Sequence, residues 1–111
     1  MKPDSTGKVK VSSLLRDQID VGTVDPLKCS HISKVRDVTP SADGCEECLM
    51  MGDKWVFLRI CLTCGHVGCC DNSKNKHATH HFHETEHPII ASYEVGESWL
   101  WCYTDEMTFK L

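Results

Sequence analysis

Short runs of aromatic and β-branched residues, separated by turn-forming residues, recur along the second half of the chain. Residues 54–60 (KWVFLRI) form one such run and are expected to be a strand. Three further runs are predicted to form short strands: 88–95, 98–103 and 106–111. Gly96 and Glu97 supply a turn between the first two of these. The pattern therefore predicts a small, twisted antiparallel sheet.

One helix stands out between these runs. Residues 75–85 (NKHATHHFHET) contain neither glycine nor proline, and Ser73 or Asn75 is expected to cap the N-terminus of the helix. The segments 38–44 and 64–76 are rich in turn-forming residues, which indicates loops. An α+β fold follows, with one main helix, a small sheet and long connecting loops.

The N-terminal part of the chain has a different character. Residues 1–26 contain no cysteine, histidine or aromatic side chain. We interpret them as an arm, mobile over its first ten residues, that precedes a domain at 27–111. A short helix over 12–19 is possible within this arm, capped by Ser12 or Ser13.

The length of the chain limits what its core can contribute. With 111 residues there is enough chain for one small domain. A domain of this size buries a smaller share of its surface than a large one, so metal ions or disulfide bonds often add stability. Eight cysteines and seven histidines indicate cross-links of this kind.

Charge and hydropathy exclude several classes of partner. A net charge of −4 gives no general basic field, so neither nucleic acid nor an anionic membrane is expected to bind. No apolar stretch reaches the roughly 18 residues of a membrane-spanning helix. The N-terminus lacks the apolar core of a secretion signal, so a cytoplasmic location is expected. Thiols stay reduced there, which favours zinc over disulfide bonds.

The spacing of the cysteines and histidines is typical of zinc sites. These residues follow the order Cys29, His31, Cys45, Cys48, Cys61, Cys64, Cys69, His77, His81, His87 and Cys102. Two C-x-x-C pairs are present, and in each a tight turn aims both thiolates at one point about 2.3 Å away. His77 and His81 are one helical turn apart, so both lie on one face of the predicted helix.

Residues 83–87 (HETEH) also fit the H-E-x-x-H pattern of zinc proteases. In that pattern both histidines lie inside a helix and the glutamate acts as a general base. Pro88 disfavours the helical conformation of the residue before it, so His87 is expected at or beyond the helix end. Glu84 is then an ordinary surface residue. The interpretation is that this chain is not a protease.

The order and spacing of these residues resemble the UBP-type (ubiquitin-specific-protease-type) zinc finger. The matching run reads C-x-H … C-x-x-C … C-x-x-C-G-x-x-x-C … H-x-x-x-H-x-x-x-x-x-H-P … W-x-W-C-Y and extends over residues 28–111. Family members with three zinc ions imply three ligand sets in this sequence. These are Cys45, Cys48, Cys69 and His77; Cys61, Cys64, His81 and His87; and Cys29, His31, Cys102 and Asp105. Four protein ligands on each ion would mark structural zinc.

Asp105 departs from the family pattern, which commonly has cysteine there in three-zinc members. A carboxylate oxygen is an acceptable zinc ligand at about 2.0–2.2 Å. The alternatives are a solvated turn aspartate, with water or another histidine at the third site, or an empty third site. Cys70 follows Cys69 directly and is one thiol more than the sites need, so we interpret it as a small buried residue.

The resemblance also implies a pocket that holds the free C-terminal Gly-Gly tail of ubiquitin. Trp101 corresponds to a wall of this pocket and Tyr103 to a second pocket residue. Asp71 stands where the family has the arginine that pairs with the tail carboxylate, and Arg59 stands where it has an aromatic residue. Two carboxylates about 5 Å apart repel by roughly 3 kcal/mol at an effective dielectric near 20.

The departures at these two positions argue against ordinary recognition of the ubiquitin tail. One hypothesis is that Arg59 supplies the cation from the other wall; the alternative is a solvated strand residue. The expected function is a monomeric, non-catalytic, zinc-binding module for a protein or peptide C-terminus. The alternatives are a structural zinc domain without a peptide pocket and, third, a zinc hydrolase with water at an open third site.

Overall fold

The computed structural model describes residues 7–111. The helices are α1 (Ser12–Asp20), a 3₁₀ helix (Ser30–Lys34), α2 (Glu46–Met51) and α3 (His77–Thr85). The strands are β1 (Leu58–Cys61), β2 (Val67–Cys69), β3 (Ile89–Ser92), β4 (Trp99–Cys102) and β5 (Met107–Lys110).

The five strands form one antiparallel sheet in the order β2-β1-β3-β4-β5. The predicted α+β fold with a small antiparallel sheet is therefore confirmed. Three of the four predicted strands lie within the expected ranges, and β1 begins later, at Leu58, and ends one residue further, at Cys61. The turn at Gly96 is present, with a φ of 85° that glycine adopts without steric cost.

The two faces of the sheet have different roles. In β4, Leu100 is fully buried in the core, whereas Trp99 and Trp101 point to the opposite face. Ile60 of β1 is on the core face and Arg59 on the other. The face away from the core therefore carries aromatic and charged side chains and is the one on which a ligand pocket can form.

Strand β2 and helix α2 were not predicted from the sequence. β2 has only three residues and Gly68 at its centre, so its sequence reads as a turn. It forms because it pairs with β1 and packs under α3. A Cβ atom at Gly68 would lie 2.7 Å from the backbone nitrogen of Ala78, so only glycine permits this close approach of strand and helix.

The segment that we interpreted as an arm packs against the domain over much of its length. Val9, Val11, Leu15 and Val24 are buried and belong to the hydrophobic core. The expectation of a mobile start falls partly on residues 1–6, which lie outside the described residues. The two-residue bridge between Val9 and Val38 joins this segment to the body of the domain.

The short helix predicted over 12–19 is present as α1, but its predicted caps were wrong. The N-cap residue is Val11, which has no capping side chain. Instead, the carboxylate of Asp37 accepts hydrogen bonds from the backbone N–H groups of Val11 and Ser12 and from the Ser12 hydroxyl, at 2.9–3.0 Å. These bonds lower the pKa of Asp37, chiefly through the backbone N–H of Ser12. Asp37, which is distant in sequence, therefore caps the N-terminus of α1 in place of the predicted serine.

Helix α3 begins two residues later than predicted, and neither Ser73 nor Asn75 caps it. Its N-cap is Lys76, which has a φ of 52° and no capping side chain. The Ser73 hydroxyl accepts a hydrogen bond from the backbone N–H of Val56. The Asn75 amide donates to the carboxylate of Asp53, in the segment after α2. Both side chains thus stabilise loops instead of the helix terminus.

Candidate metal centres and the adjoining pocket

The first cluster joins α2, β2 and the start of α3. Its members are Cys45, Cys48, Cys69 and His77. The Nδ1 atom of His77 lies 3.2 Å from the Cys45 Sγ, 3.4 Å from the Cys48 Sγ and 3.6 Å from the Cys69 Sγ. All three thiols are buried.

The second cluster joins the end of β1 and its following turn to α3 and the residue before Pro88. Its members are Cys61, Cys64, His81 and His87. The Cys61 Sγ lies 3.6 Å from His87 Nδ1, and the Cys64 Sγ lies 3.3 Å from His81 Nε2. Burial, with His66 and His87 nearby, lowers the pKa of His81 to about 4. Its ring is therefore neutral at pH 7, as a metal ligand must be.

The third cluster ties the 3₁₀ helix to the turn between β4 and β5. Its members are Cys29, His31, Cys102 and Asp105. His31 Nδ1 lies 2.9 Å from a carboxylate oxygen of Asp105 and 3.6 Å from the Cys102 Sγ. Hydrogen bonds with Cys29 and His31 lower the pKa of Asp105, so its carboxylate is ionised at neutral pH.

The three clusters fit zinc by a geometric test. A zinc ion with sulfur at about 2.3 Å and nitrogen at about 2.0–2.1 Å in a tetrahedron holds its ligand atoms roughly 3.3–3.8 Å apart. The sulfur–nitrogen distances quoted above fall at or within 0.1 Å of this range. The His31–Asp105 contact, at 2.9 Å, is shorter than this range and has the length of a hydrogen bond, which zinc would replace. The clusters are consistent with three zinc ions.

The buried thiols give a second reason to expect a cation. Burial is the main cause that raises the pKa of Cys29 and of Cys45 to about 12, and that of Cys61 to about 11. Without a cation these thiols are neutral at pH 7 and crowd one another. A divalent ion reverses that preference by stabilising the thiolates, and it releases protons as it binds.

The H-E-x-x-H pattern does not form a site of its own. Helix α3 ends at Thr85 and Glu86 is its C-cap with a φ of 59°, so His87 lies beyond the helix, as Pro88 predicted. His83 and Glu84 are exposed and belong to none of the three clusters. His87 instead faces Cys61, on a different element.

Two residues outside the clusters support the second one. The His66 ring stacks on the His81 ring with centroids 4.0 Å apart and planes 6° from parallel. Glu47 holds His66 from the other side, at 2.7 Å from its Nε2. No sequence pattern predicts this pair, because it depends on α2 lying against β2.

A cavity of about 380 Å³ opens beside the clusters, on the sheet face away from the core. Its lining comprises Arg59, Cys70, Asp71, Asn72, Ile90, Trp99, Trp101, Tyr103, Thr108 and Lys110. The three residues predicted for a peptide pocket, Arg59, Trp101 and Tyr103, are all in this lining. Trp99, Ile90, Thr108 and Lys110 were missed, although strand alternation places them on the same face.

Arg59 is held inside this cavity by an aromatic ring. Its guanidinium carbon lies 4.6 Å from the centroid of the Trp99 ring, within the range of a cation–π contact. One guanidinium N–H also donates to the backbone carbonyl of Leu58, at 3.0 Å. The side chain is half-buried, so Arg59 is not a freely solvated strand residue.

Two other lining residues, Asp71 and Tyr103, are connected by the hydroxyl group of Thr79. The Thr79 hydroxyl donates to the carboxylate of Asp71 at 2.5 Å. Its oxygen lies 3.2 Å from the Tyr103 hydroxyl, which must then be the donor of that contact. Burial raises the pKa of Tyr103 to about 12, so the phenol stays protonated. Phe82 stacks on Tyr103 with centroids 4.6 Å apart, which fixes the ring.

None of the helices in residues 7–111 has the length and apolar character needed to cross a bilayer.

Comparisons with known proteins agree with the geometry. Two relatives are the NAD-dependent deacetylase sir2A of Dictyostelium discoideum and ubiquitin carboxyl-terminal hydrolase 44 of Ailuropoda melanoleuca. The first is 33% identical over 90 residues and the second 33% identical over 82 residues, which are 73% and 68% of this chain. The chain spans only 16% and 10% of the lengths of these relatives.

A solved structure is more similar to this chain. It is the solution NMR structure of protein RPA1320 from Rhodopseudomonas palustris, with 64% identity and a TM-score of 0.71. The likeness covers 75% of this chain and 81% of that one. Residues 45–110 match the zf-UBP family, described as the Zn-finger in ubiquitin-hydrolases and other protein. Because this match includes more than half of the chain and two of the three clusters in full, the chain belongs to the zf-UBP family of zinc fingers.

Proposed function

We propose that this domain is a zinc-stabilised, non-catalytic module that binds the free C-terminus of a peptide or protein. The observation that carries the proposal is the cavity of about 380 Å³, which combines aromatic walls with a positioned arginine. Pockets that bind small ligands or peptide ends are mostly apolar and have a few placed polar groups.

The proposed metal ligands are the twelve residues of the three clusters. Each cluster offers four donor atoms, all within 4.8 Å of one another. Four protein ligands leave no coordination position for a substrate, which supports structural rather than catalytic metal. Bound zinc would cross-link segments that are distant in sequence.

Arg59 is the proposed partner of the ligand carboxylate. Trp99 orients its guanidinium at the cavity wall, and an oriented arginine loses less freedom when it pairs with a carboxylate. Trp101 and Tyr103 supply apolar surface for the last residues of the ligand.

Asp71 opposes this binding less than its charge alone suggests. The Thr79 hydroxyl already bonds its carboxylate, on the side of α3. Asp71 still places a negative charge in the cavity, and this supports a ligand other than the ubiquitin tail. The name of one relative, a ubiquitin carboxyl-terminal hydrolase, keeps ubiquitin as the comparison ligand.

A titration tests the proposal. The fluorescently labelled protein is titrated with a peptide ending in Gly-Gly, once with a free carboxylate and once amidated. We expect the amide to bind at least ten times more weakly, since a charge-assisted hydrogen bond contributes about 1.5–3 kcal/mol. Arg59→Gln should remove this difference.

The matched control is Arg16→Gln, an equal change of charge on the exposed side of α1. It should bind both peptides as the wild type does. If neither peptide binds the wild type, the proposal fails and a purely structural zinc domain is the better description.

A further inference from the structure

We infer that the pocket selects C-termini whose last residue is aspartate or glutamate, because it holds a second cation, Lys110. This inference rests on the proposed function, in which Arg59 binds the terminal carboxylate. The further inference concerns the side chain of the ligand's last residue, not its terminal carboxylate.

The register of the sheet places both cations on the same face as Trp99. Trp99 and Lys110 are directly opposed across β4 and β5. Directly opposed residues of antiparallel strands project from the same face, with Cβ atoms about 4.5–5.5 Å apart. Arg59 reaches the same Trp99 ring from the other side, across β3.

Strand β3 lies between Arg59 and Trp99, and it has a small residue where the Arg59 side chain crosses it. Ser92 of β3 is directly opposed to Arg59 and is fully buried. Its hydroxyl bonds the carboxylate of Glu97, which therefore has a partner outside the cavity lining. The short serine side chain leaves the space through which the guanidinium passes over the indole.

The charges of the lining do not cancel. Arg59 and Lys110 are cations, and Asp71 is the one carboxylate among the lining residues. The Asp71 carboxylate already accepts a hydrogen bond from the Thr79 hydroxyl. Among the described residues, Lys110 forms no ion pair. In a chain with a net charge of −4, this is a local excess of positive charge.

One carboxylate cannot use both cations fully. A terminal glycine offers one anionic group, which pairs with Arg59 and leaves Lys110 with water. A terminal aspartate or glutamate carries a second carboxylate on the same residue. Charge complementarity of this kind contributes more to the choice between ligands than to the overall affinity. Lys110 is thus a specificity-determining residue for an acidic last side chain.

The experiment uses one peptide sequence with three different last residues, glycine, glutamine and glutamate, all with free carboxylates. A fourth peptide ends in glutamate amide. Affinities are measured with the zinc-loaded protein at low salt. We expect the glutamate peptide to bind about five times more tightly than the glutamine peptide, as for a partly exposed ion pair.

Two variants test whether Lys110 causes the preference for the glutamate peptide. Lys110→Gln should remove the fivefold preference, because it weakens the glutamate peptide much more than the glutamine peptide. Lys28→Gln, which makes the same change of charge outside the cavity, should preserve the preference. Both lysines are exposed, so neither change is expected to disturb folding.

The outcomes separate the inference from the proposed function. If glycine and glutamine peptides bind through their free carboxylates and glutamate gives no gain, the proposed function stands and the inference is overturned. A Lys110→Gln variant that weakens all three peptides equally also overturns it. If no free C-terminus binds at all, both fall together.

Discussion

Asp71 lies at the position where the family resemblance implies an arginine. Its carboxylate is fixed by Thr79 and faces a cavity whose proposed ligand is itself anionic. At the scale of single residues, the affinity for a C-terminus is therefore set by the balance between Arg59, Lys110 and Asp71.

Asp71→Asn should raise the affinity for a peptide with a free C-terminus several-fold. The amide oxygen still accepts the Thr79 hydroxyl, while the repulsion between two carboxylates disappears. Isothermal titration at low and high salt measures the change, which should shrink as salt screens the charge. Asp20→Asn on α1 is the control of equal charge. An unchanged or lower affinity for Asp71→Asn would contradict the account.

Asp105 decides whether the third cluster holds zinc as tightly as the others. Asp105→Ala should reduce the zinc content from three ions per chain toward two, because three ligands remain. Asp105→Cys should keep three, since thiolate is the better ligand. Elemental analysis after extensive dialysis measures both. If Asp105→Ala retains a tightly bound third ion, a water molecule or another side chain completes the site.

At the scale of elements, α3 connects two clusters. It carries His77 to the first and His81 to the second, one turn later. Gly68, at the centre of β2, lets the helix approach the strand closely. His77 and His81 can then each lie beside the cysteines of their own cluster.

The histidines of α3 should therefore differ sharply in importance. His81→Ala is expected to lose the zinc of the second cluster and lower the melting temperature markedly. His83→Ala, two residues away and exposed, should retain three zinc ions and wild-type stability. Zinc content and thermal unfolding test this pair. A severe loss in His83→Ala would revive the H-E-x-x-H interpretation.

The capping of α1 by Asp37 predicts a dependence on pH. Asp37→Asn should cost about 1 kcal/mol of unfolding free energy at pH 7, the usual cost of losing a helix cap. The pKa of Asp37 is lowered in the folded state, so its contribution is present above the unfolded value of about 3.9. It is lost as the pH falls through the lower, folded pKa.

Denaturant unfolding of both proteins between pH 7 and pH 5 measures this effect, because stronger acid protonates the cysteine and histidine ligands and releases the zinc. The difference in unfolding free energy between the wild type and Asp37→Asn should be present and nearly constant over this range, since the folded and unfolded pKa values of Asp37 both lie below it. An Asp37→Asn variant as stable as the wild type at pH 7 would show that the charge of Asp37 is unimportant.

At the scale of the whole molecule, the clusters tie together parts of the chain that are distant in sequence. The third joins the segment at Cys29 to the turn at Asp105. Structural zinc is worth about 10–16 kcal/mol per site in small peptides, whereas whole domains are stable by only about 5–15 kcal/mol. The free energy lost on removal of the metal is thus larger than the whole free energy of unfolding.

Chelation should therefore unfold the domain. Under reducing conditions, excess EDTA is expected to abolish the dispersion of the amide NMR spectrum, and added zinc to restore it. The reductant alone, without EDTA, is the control and should change nothing. A dispersed spectrum in the metal-free protein would show that the apolar core suffices.

The sequence predicted those features that depend on local spacing. A C-x-x-C pair or two histidines one turn apart carry their geometry with them, so these pairs and α3 were predicted from spacing. The grouping of the ligands into three sets came from the family resemblance. Strand β2 was missed because it exists through its partners and not through its own pattern. Lys110 was missed for the same reason, because it lies opposite Trp99 only through the register of β4 and β5.

The order of the proposed ligands has a consequence for synthesis in the cell. The first cluster needs His77, the second His87 and the third Asp105, so no cluster has all its ligands until these residues have left the ribosome. Until then the nascent chain carries unprotected thiols from Cys29 onward. Metal loading is consequently a late event, and the interval before it is when the protein is most vulnerable to oxidation.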